Sequence, residues 1–163
     1  MHGPTEQEIN ENMLQAVEEL KRADHLIYVS LKYTRTVDVI RSIVKRIMNS
    51  IEKGIHALLI FAEYKKIIPA IPSNPVQQAD AAKTAFKDNA DLVKTVDTYL
   101  FLRKLDRVKE YQSVREYRKH VAMITEVDGQ TYEINVVLIH EYFEMAKSFV
   151  KIIAASTGEG KEE

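Results

Sequence analysis

The sequence predicts an all-α protein: a four-to-five-helix up-down bundle with one β-hairpin inserted at about 120–134, before the C-terminal helix. Apolar residues recur at three- and four-residue steps along most of the chain, which is the period of a helix that buries one face. The pair Asp128-Gly129 interrupts this pattern between two β-prone runs, and a type I′ hairpin turn needs positive φ at both central residues. A length of 163 residues suits one domain. We therefore expect a single helical domain over 1–157 and a polar, disordered tail over 158–163.

The charges of the chain nearly cancel, with 23 basic and 24 acidic residues and a formal net charge of -1. They give no support to a global attraction for nucleic acid, so any electrostatic function must be local. The absence of cysteine excludes disulfides and thiolate metal sites, and we expect neither a metal site nor a cofactor. No apolar run approaches the roughly 18 residues of a membrane span, and the first residues lack the layout of a secretory signal. We expect a cytoplasmic protein with no membrane partner.

The first two helices are predicted from their caps and apolar stripes. Thr5 followed three residues later by Glu8 fits a capping box, and the helical pattern that follows gives about seven turns. A polar stretch then breaks the pattern, and Thr36 at its end can cap the next helix. The second helix carries an apolar stripe wide enough for burial against two neighbours, and we expect it to run to about Lys66.

The second half of the chain is divided by turn residues. Prolines at 69, 72 and 75 make 67–75 a non-helical crossing, because proline lacks an amide donor and constrains the residue before it. Helix formers return over 76–108, either as one helix or as two with a break near 87–89. After the hairpin, Asn135 is a suitable cap for the last helix. Since two strands are marginal in water, the apolar face of the hairpin must lie on the bundle or pair with the edge of another chain.

A basic, tyrosine-bearing stretch at 109–120 precedes the hairpin, and within it Arg115 and His120 lie five residues apart. The two side chains suit chemistry on an RNA phosphodiester, with the imidazole as acid or base and the guanidinium stabilising charge on the phosphate. Five residues is not a co-facial spacing on a helix, so convergence requires a helix end or a second subunit. The structural alternative places Arg115 with its basic neighbours at a helix end and lets His120 open a strand.

Five further residues are predicted to contact nucleic acid: Arg118, Lys119, Arg41, Lys45 and Tyr117. The tyrosine ring can stack on a base, and the four cations can contact phosphates. The second helix, which carries Arg41 and Lys45, is basic where the first helix is acidic. The alternatives are that the two helices simply lie side by side, and that Tyr117 packs its ring at the margin of the bundle.

The segment Arg115-Glu-Tyr-Arg-Lys-His120 and the paired long helices of 6–66 resemble the HEPN family, the higher-eukaryote and prokaryote nucleotide-binding domains. The resemblance covers most of the chain in architecture and six residues in motif. Members are α-helical bundles that often dimerise. Many are metal-independent ribonucleases whose Arg and His act across the dimer, and others serve as nucleotide-binding or antitoxin-partner modules. The resemblance implies RNA or a nucleotide as ligand, a homodimer, and Arg115 and His120 as catalytic residues.

A second function fits the same sequence: a non-enzymatic interaction or scaffold protein whose hairpin edge or long helices bind a protein partner. The sequence leaves open whether the protein is an enzyme. Binding that falls steeply with salt would favour nucleic acid, and weak salt dependence would favour a protein partner.

Overall fold

The computed structural model describes residues 3–158 and is mostly helical, with a small antiparallel sheet before the last helix. The helices are α1 (Pro4–His25), α2 (Leu31–Tyr33), α3 (Val37–Tyr64), α4 (Pro75–Ala85), α5 (Ala90–Asp106) and α6 (Val136–Ser156). The strands are β1 (Gln112–Val114), β2 (Ala122–Val127) and β3 (Gln130–Asn135). The predicted helical character is confirmed, and the predicted hairpin is present as β2 and β3 of a sheet that has a third, unpredicted strand.

The first helix is continuous with α2 through one π-helical turn, Leu26–Ser30, in which the amide of Leu31 donates to the carbonyl of Leu26. The predicted long first helix is therefore present. It begins earlier than predicted, because Gly3 is the N-cap and no side chain caps the helix. The capping box at Thr5 is wrong: Pro4 already suits the first helical position, where a missing amide proton costs nothing, so Thr5 lies inside the helix.

The central helix is α3, in which 14 of 28 residues are buried. Its predicted cap is confirmed, since the Thr36 hydroxyl accepts a hydrogen bond from the Val39 amide at 3.4 Å. It packs antiparallel to α1. The Ser50 hydroxyl donates to the Ala16 carbonyl at 2.8 Å, and Arg46, earlier on α3, contacts Glu19, later on α1. The helix ends at Tyr64, close to the predicted end.

The region 67–74 is non-helical, as predicted, but Pro75 is the first residue of α4, a position that suits proline. Of the two arrangements left open for 76–108, two helices are present rather than one. Asparagine side chains cap both. Asn74 accepts from the amides of Val76 and Gln77, and Asn89 accepts from the Leu92 amide at 3.1 Å. The break at 86–89 includes the position predicted for the kink.

The sheet has the order β1-β2-β3, and both pairs are antiparallel. Asp128 and Gly129 have φ of 53° and 82°, which confirms the predicted turn. The strand β1 corrects the alternative of a basic helix end at 109–120: once α5 ends at Asp106, the chain pairs with the free edge of β2 and satisfies its backbone donors and acceptors. One face of the sheet is buried against the helices through the side chains of Val121, Met123, Val127 and Ile134.

The Asn135 side chain caps α6, accepting from the Leu138 amide at 2.9 Å, as predicted. The tail predicted at 158–163 lies outside the described residues, apart from Gly158. Within residues 3–158, the helices lack the combination of length and apolar character that crossing a bilayer requires.

Gly54 on α3 provides a test of how tightly the helices pack. A Cβ built at this position would lie 2.8 Å from Ile153 Cδ1 and 2.9 Å from Phe149 Cε2. Glycine to alanine in an open helix is expected to stabilise by about 1 kcal/mol. We expect Gly54→Ala instead to destabilise by about 1–3 kcal/mol in urea unfolding, because overpacking displaces core side chains.

The double variant Gly54→Ala/Ile153→Val serves as the control, since valine lacks the closest clashing methyl group. Part of the loss should be recovered relative to the sum of the single variants. A Gly54→Ala protein more stable than wild type would contradict this description of the α3–α6 contact.

Candidate functional site

Residues 115–120, called here the basic loop, connect β1 to β2. Arg115 and Tyr117 have φ of 55° and 66°, the left-handed region that bulky residues rarely adopt. Each such residue costs on the order of 1 kcal/mol or more and persists only where the surroundings fix it, and such residues cluster at functional sites. Two of them within three positions make the basic loop the candidate site.

Hydrogen bonds inside the basic loop fix its shape. The amide of Arg118 donates to the carbonyl of Arg115 at 3.2 Å, and the amide of Val121 donates to the carbonyl of Arg118 at 3.2 Å. The Arg115 Nε donates to the carbonyl of His120 at 2.8 Å and closes the loop from its first residue to its last. The loop is therefore a compact, internally bonded turn.

Two further bonds anchor the basic loop to the start of α3. The Tyr117 amide donates to the Arg35 carbonyl at 2.6 Å, and the Glu116 carboxylate accepts from the Val37 amide at 2.8 Å. Val37 is the first residue of α3, where a helix leaves amides unsatisfied and favours negative charge. Glu116 thus adds a second cap to the central helix from 79 residues away.

The anchored loop and the chain before α3 form one surface, called here the loop surface and defined by Lys32, Tyr33, Arg35, Tyr117, Arg118 and Lys119. The rings of Tyr33 and Tyr117 are 79% and 74% exposed. Among the described residues, none of the four cations of the loop surface forms an ion pair. The one acidic residue of the basic loop, Glu116, is used by the α3 amide. Two open aromatic rings therefore lie among uncompensated positive charges.

The predicted catalytic residues Arg115 and His120 end up in the same loop, but the guanidinium contacts the carbonyl of His120 rather than its imidazole. The other end of the guanidinium pairs with Glu133 on β3, with Nη2 2.9 Å from Oε2. His120 is exposed. Within one chain, Arg115 has a structural role, and its catalytic role stays a prediction.

Arg41 and Lys45 make internal contacts. Arg41 donates to the carbonyls of Asp106 and Val108 and lies over the Tyr111 ring at 4.9 Å, while Lys45 pairs with the Asp106 carboxylate at 3.4 Å. They fasten the segment that follows α5 to α3. Their predicted contact with nucleic acid is untested, and the charge of Lys45 is partly offset by Asp106.

Three residues of the loop surface were not identified from the sequence: Lys32, Tyr33 and Arg35. The sequence showed a polar break at this point, but its proximity to Tyr117 depends on a contact between segments about 80 residues apart. The composition of the break, with two cations and a tyrosine in four residues, was the available signal.

A second polar cluster lies between α3 and α5, where Tyr99 donates to Glu52 at 3.1 Å. The Tyr99 side chain is buried. Burial, together with the Glu52 carboxylate, raises the pKa of Tyr99 to about 12. Burial also lowers the pKa of His56, whose Nε2 lies 4.0 Å from Glu52 and whose charge Glu52 favours less strongly. The hydrogen bond between Tyr99 and Glu52 thus joins α5 to α3.

Glu116 allows the anchoring of the basic loop to be tested. We expect Glu116→Ala to lower the free energy of unfolding by about 0.5–2 kcal/mol, as for loss of a helix cap, and to speed hydrogen exchange at the Val37 amide. Glu116→Gln keeps an acceptor oxygen. It should therefore lose only the part of the stability that comes from the negative charge at the helix start. Unchanged exchange at Val37 in Glu116→Ala would show that the bond does not form in solution.

His56 gives a pH dependence with a defined sign. Because its pKa is lowered in the folded protein, the unfolded chain binds the proton more readily, so stability rises with pH. The contribution is complete above the unfolded value of 6.5 and is lost as pH falls through the lower folded pKa. Urea unfolding from pH 7.5 to 5 should show a smaller decline for His56→Gln than for the wild type. His25→Gln, at an exposed position on α1, is the matched control, and an equal decline in wild type and His56→Gln would refute the assignment.

Comparisons of this chain with protein-family models, with curated proteins and with solved structures found no match. The HEPN resemblance therefore stays an expectation from the sequence. Proposals about function rest on the residues of this chain.

Proposed function

We propose that the protein binds single-stranded RNA at the loop surface. The observation that carries this proposal is the hydrogen bond between Tyr117 and Arg35. It joins two segments that each present an exposed tyrosine next to cations without ion-pair partners among the described residues.

The chemistry of the loop surface suits an unpaired strand. Exposed aromatic rings stack on bases, and each such contact is worth about 1–3 kcal/mol by alanine substitution. Lysine and arginine side chains contact the phosphates between the bases. A duplex offers only its phosphates to such a surface, since its bases are already stacked and paired. The loop surface is also the kind of local charge that a chain of net charge -1 needs if it is to bind a polyanion.

The shape of the basic loop supports this function further. The loop is held by bonds to Arg35, Val37 and Glu133, so little of its backbone freedom remains to be lost on binding. A preorganised site retains more of its contact energy as affinity.

Cleavage by Arg115 and His120, as the HEPN resemblance implies, is a narrower proposal. It requires a phosphate to reach a guanidinium that Glu133 and the His120 carbonyl already contact. A homodimer could bring a second copy of the loop to the same phosphate. The catalytic groups would then come from two chains, and one guanidinium would not have to give up its partners. Binding is the function that the geometry supports best.

The binding proposal is tested by fluorescence anisotropy with a labelled 12-nucleotide oligouridine RNA. We expect Tyr117→Asn to weaken binding about 5- to 150-fold, the equivalent of one stacked base. Asparagine removes the ring but tolerates the left-handed backbone, so the loop keeps its shape. Tyr33→Ala should have an effect of the same size.

The charge contribution is tested with Arg118→Glu/Lys119→Glu. The matched control is Lys66→Glu/Lys87→Glu, which makes the same change in net charge at two exposed positions. Lys66 follows the opposite end of α3, about 40 Å from its start for a helix of this length, and Lys87 lies between α4 and α5. We expect only the first variant to lose most of the affinity, with a shallower dependence on salt of about 0.7 per phosphate contact removed.

Equal loss in both double variants, or equal affinity for the single strand and its duplex, would rule out a site at the loop surface. RNA binding that does not weaken with added salt would contradict the proposed phosphate contacts. Gels of the same mixtures report cleavage: product that disappears in His120→Ala and Arg115→Ala would support the catalytic prediction, and product unchanged in both would refute it.

A further inference from the structure

A groove of about 720 Å³ runs between the first turns of α5 and the outer side of α6. This volume falls in the range of ligand sites, but the shape is elongated. Its α6 side extends from Val137 to Ile152, which is about 22 Å at the rise of an α-helix. A ligand that fills the groove must be of similar length.

The surface that lines the groove is mainly apolar, and three apolar side chains of α6 are regularly spaced along it. Val137, Met145 and Ile152 line it, at steps of eight and seven residues along α6. Val137 is 67% exposed, so its side chain is open to a ligand. Methionine adapts its shape to different partners. The spacing corresponds to two turns per step, the repeat at which a second helix laid alongside would present its own apolar residues.

The charged residues that line the groove are mainly acidic. Asp91, Glu141 and Glu144 line the groove, against one cation, Lys94. Glu144 also pairs with Lys147 of its own helix at 3.6 Å, and its side chain remains 61% exposed. An occupant that carries basic residues beside an apolar stripe would match this charge.

We infer that the groove binds a basic amphipathic helix of about 15 residues supplied by a protein partner. The length of the groove, the two-turn spacing of its apolar side chains and its negative charge each specify one property of that helix. This mode, an amphipathic helix lying in an apolar groove, is a common form of peptide recognition. The inference is independent of RNA binding, since the groove and the loop surface have no residue in common.

The probe is a synthetic 15-residue peptide of leucine and lysine with helical leucine spacing. A second peptide replaces every lysine with glutamate and keeps the leucines. Methyl-¹³C methionine labelling of the full chain locates the contact, because Met145 lines the groove while Met48 and Met123 are buried in the core. We expect the basic peptide to shift the Met145 methyl resonance in a saturable manner and the acidic peptide to leave it unchanged.

Two charge-reversal variants separate the groove from general attraction between an acidic surface and a basic peptide. Glu141→Lys/Glu144→Lys changes the rim, and Glu8→Lys/Glu11→Lys makes the same change at exposed positions on α1. We expect the first to weaken the peptide at least tenfold and the second to change the affinity less than twofold.

Equal weakening in both variants, a shift at the α1 residue Met13 in place of Met145, or equal binding of the acidic peptide would overturn the inference. Sedimentation of the protein without peptide decides the remaining alternative. A dimer that Glu141→Lys/Glu144→Lys converts to a monomer would show that a second copy occupies the groove, and would also overturn it. The RNA experiment is unaffected by either result, because its variants lie outside the groove.

Discussion

Burial of α3 is the constraint on which the rest of the structure depends. Half of this helix is inaccessible to solvent, and α1, α5 and α6 each pack against it. Burying an apolar stripe on several sides supplies most of the favourable free energy of such a fold. It also brings some polar side chains of α3 against the neighbouring helices, and a polar group partly removed from water needs a partner.

The polar side of α3 meets that need through contacts with its neighbours. Arg41 bonds to carbonyls after α5, Asn49 bonds to Glu19 on α1, and Glu52 accepts from Tyr99 on α5. Polar side chains of α3, including Arg41, which the sequence predicts to contact phosphate, therefore join this helix to its neighbours. The loop surface, where the chain leaves the helices, carries cations that form no ion pair among the described residues.

The parts of the fold that were predictable have their cause within a few residues of the chain. Thr36 and Asn135 cap the helices that follow them, and Asp128-Gly129 forms the hairpin turn because the required backbone angles suit those two residues. The parts that were missed depend on distant contacts. β1 exists because β2 offers an open edge, and the short segment 112–114 carries little strand pattern of its own.

For the candidate site, too, the local pattern was predictable from the sequence and the distant contacts were not. The spacing of Arg115 and His120 predicted a site in the loop that contains them, but the sequence could not indicate that Glu133 would pair with the arginine. Nor could it indicate that Tyr117 would bond to Arg35, since the two segments are brought together only by folding. The local motif indicated the candidate loop, and long-range contacts determine which of its side chains are free of internal partners.

The π-helical turn at Leu26–Ser30 determines which way Tyr33 faces. Such a turn holds one residue more than a regular helical turn, so everything after it is rotated by roughly 100° about the helix axis relative to an uninterrupted α-helix. Upstream of the turn, Ala16 and Ala23 mark the side of the helix that faces the core. A chain shortened by one residue within 26–30 would form an uninterrupted α-helix and leave the tyrosine at nearly the same azimuth, whereas a chain of the same length without the π turn would rotate it by roughly 100°. The orientation of that ring thus depends on the π turn taking up one residue, and not on any side chain of the loop surface.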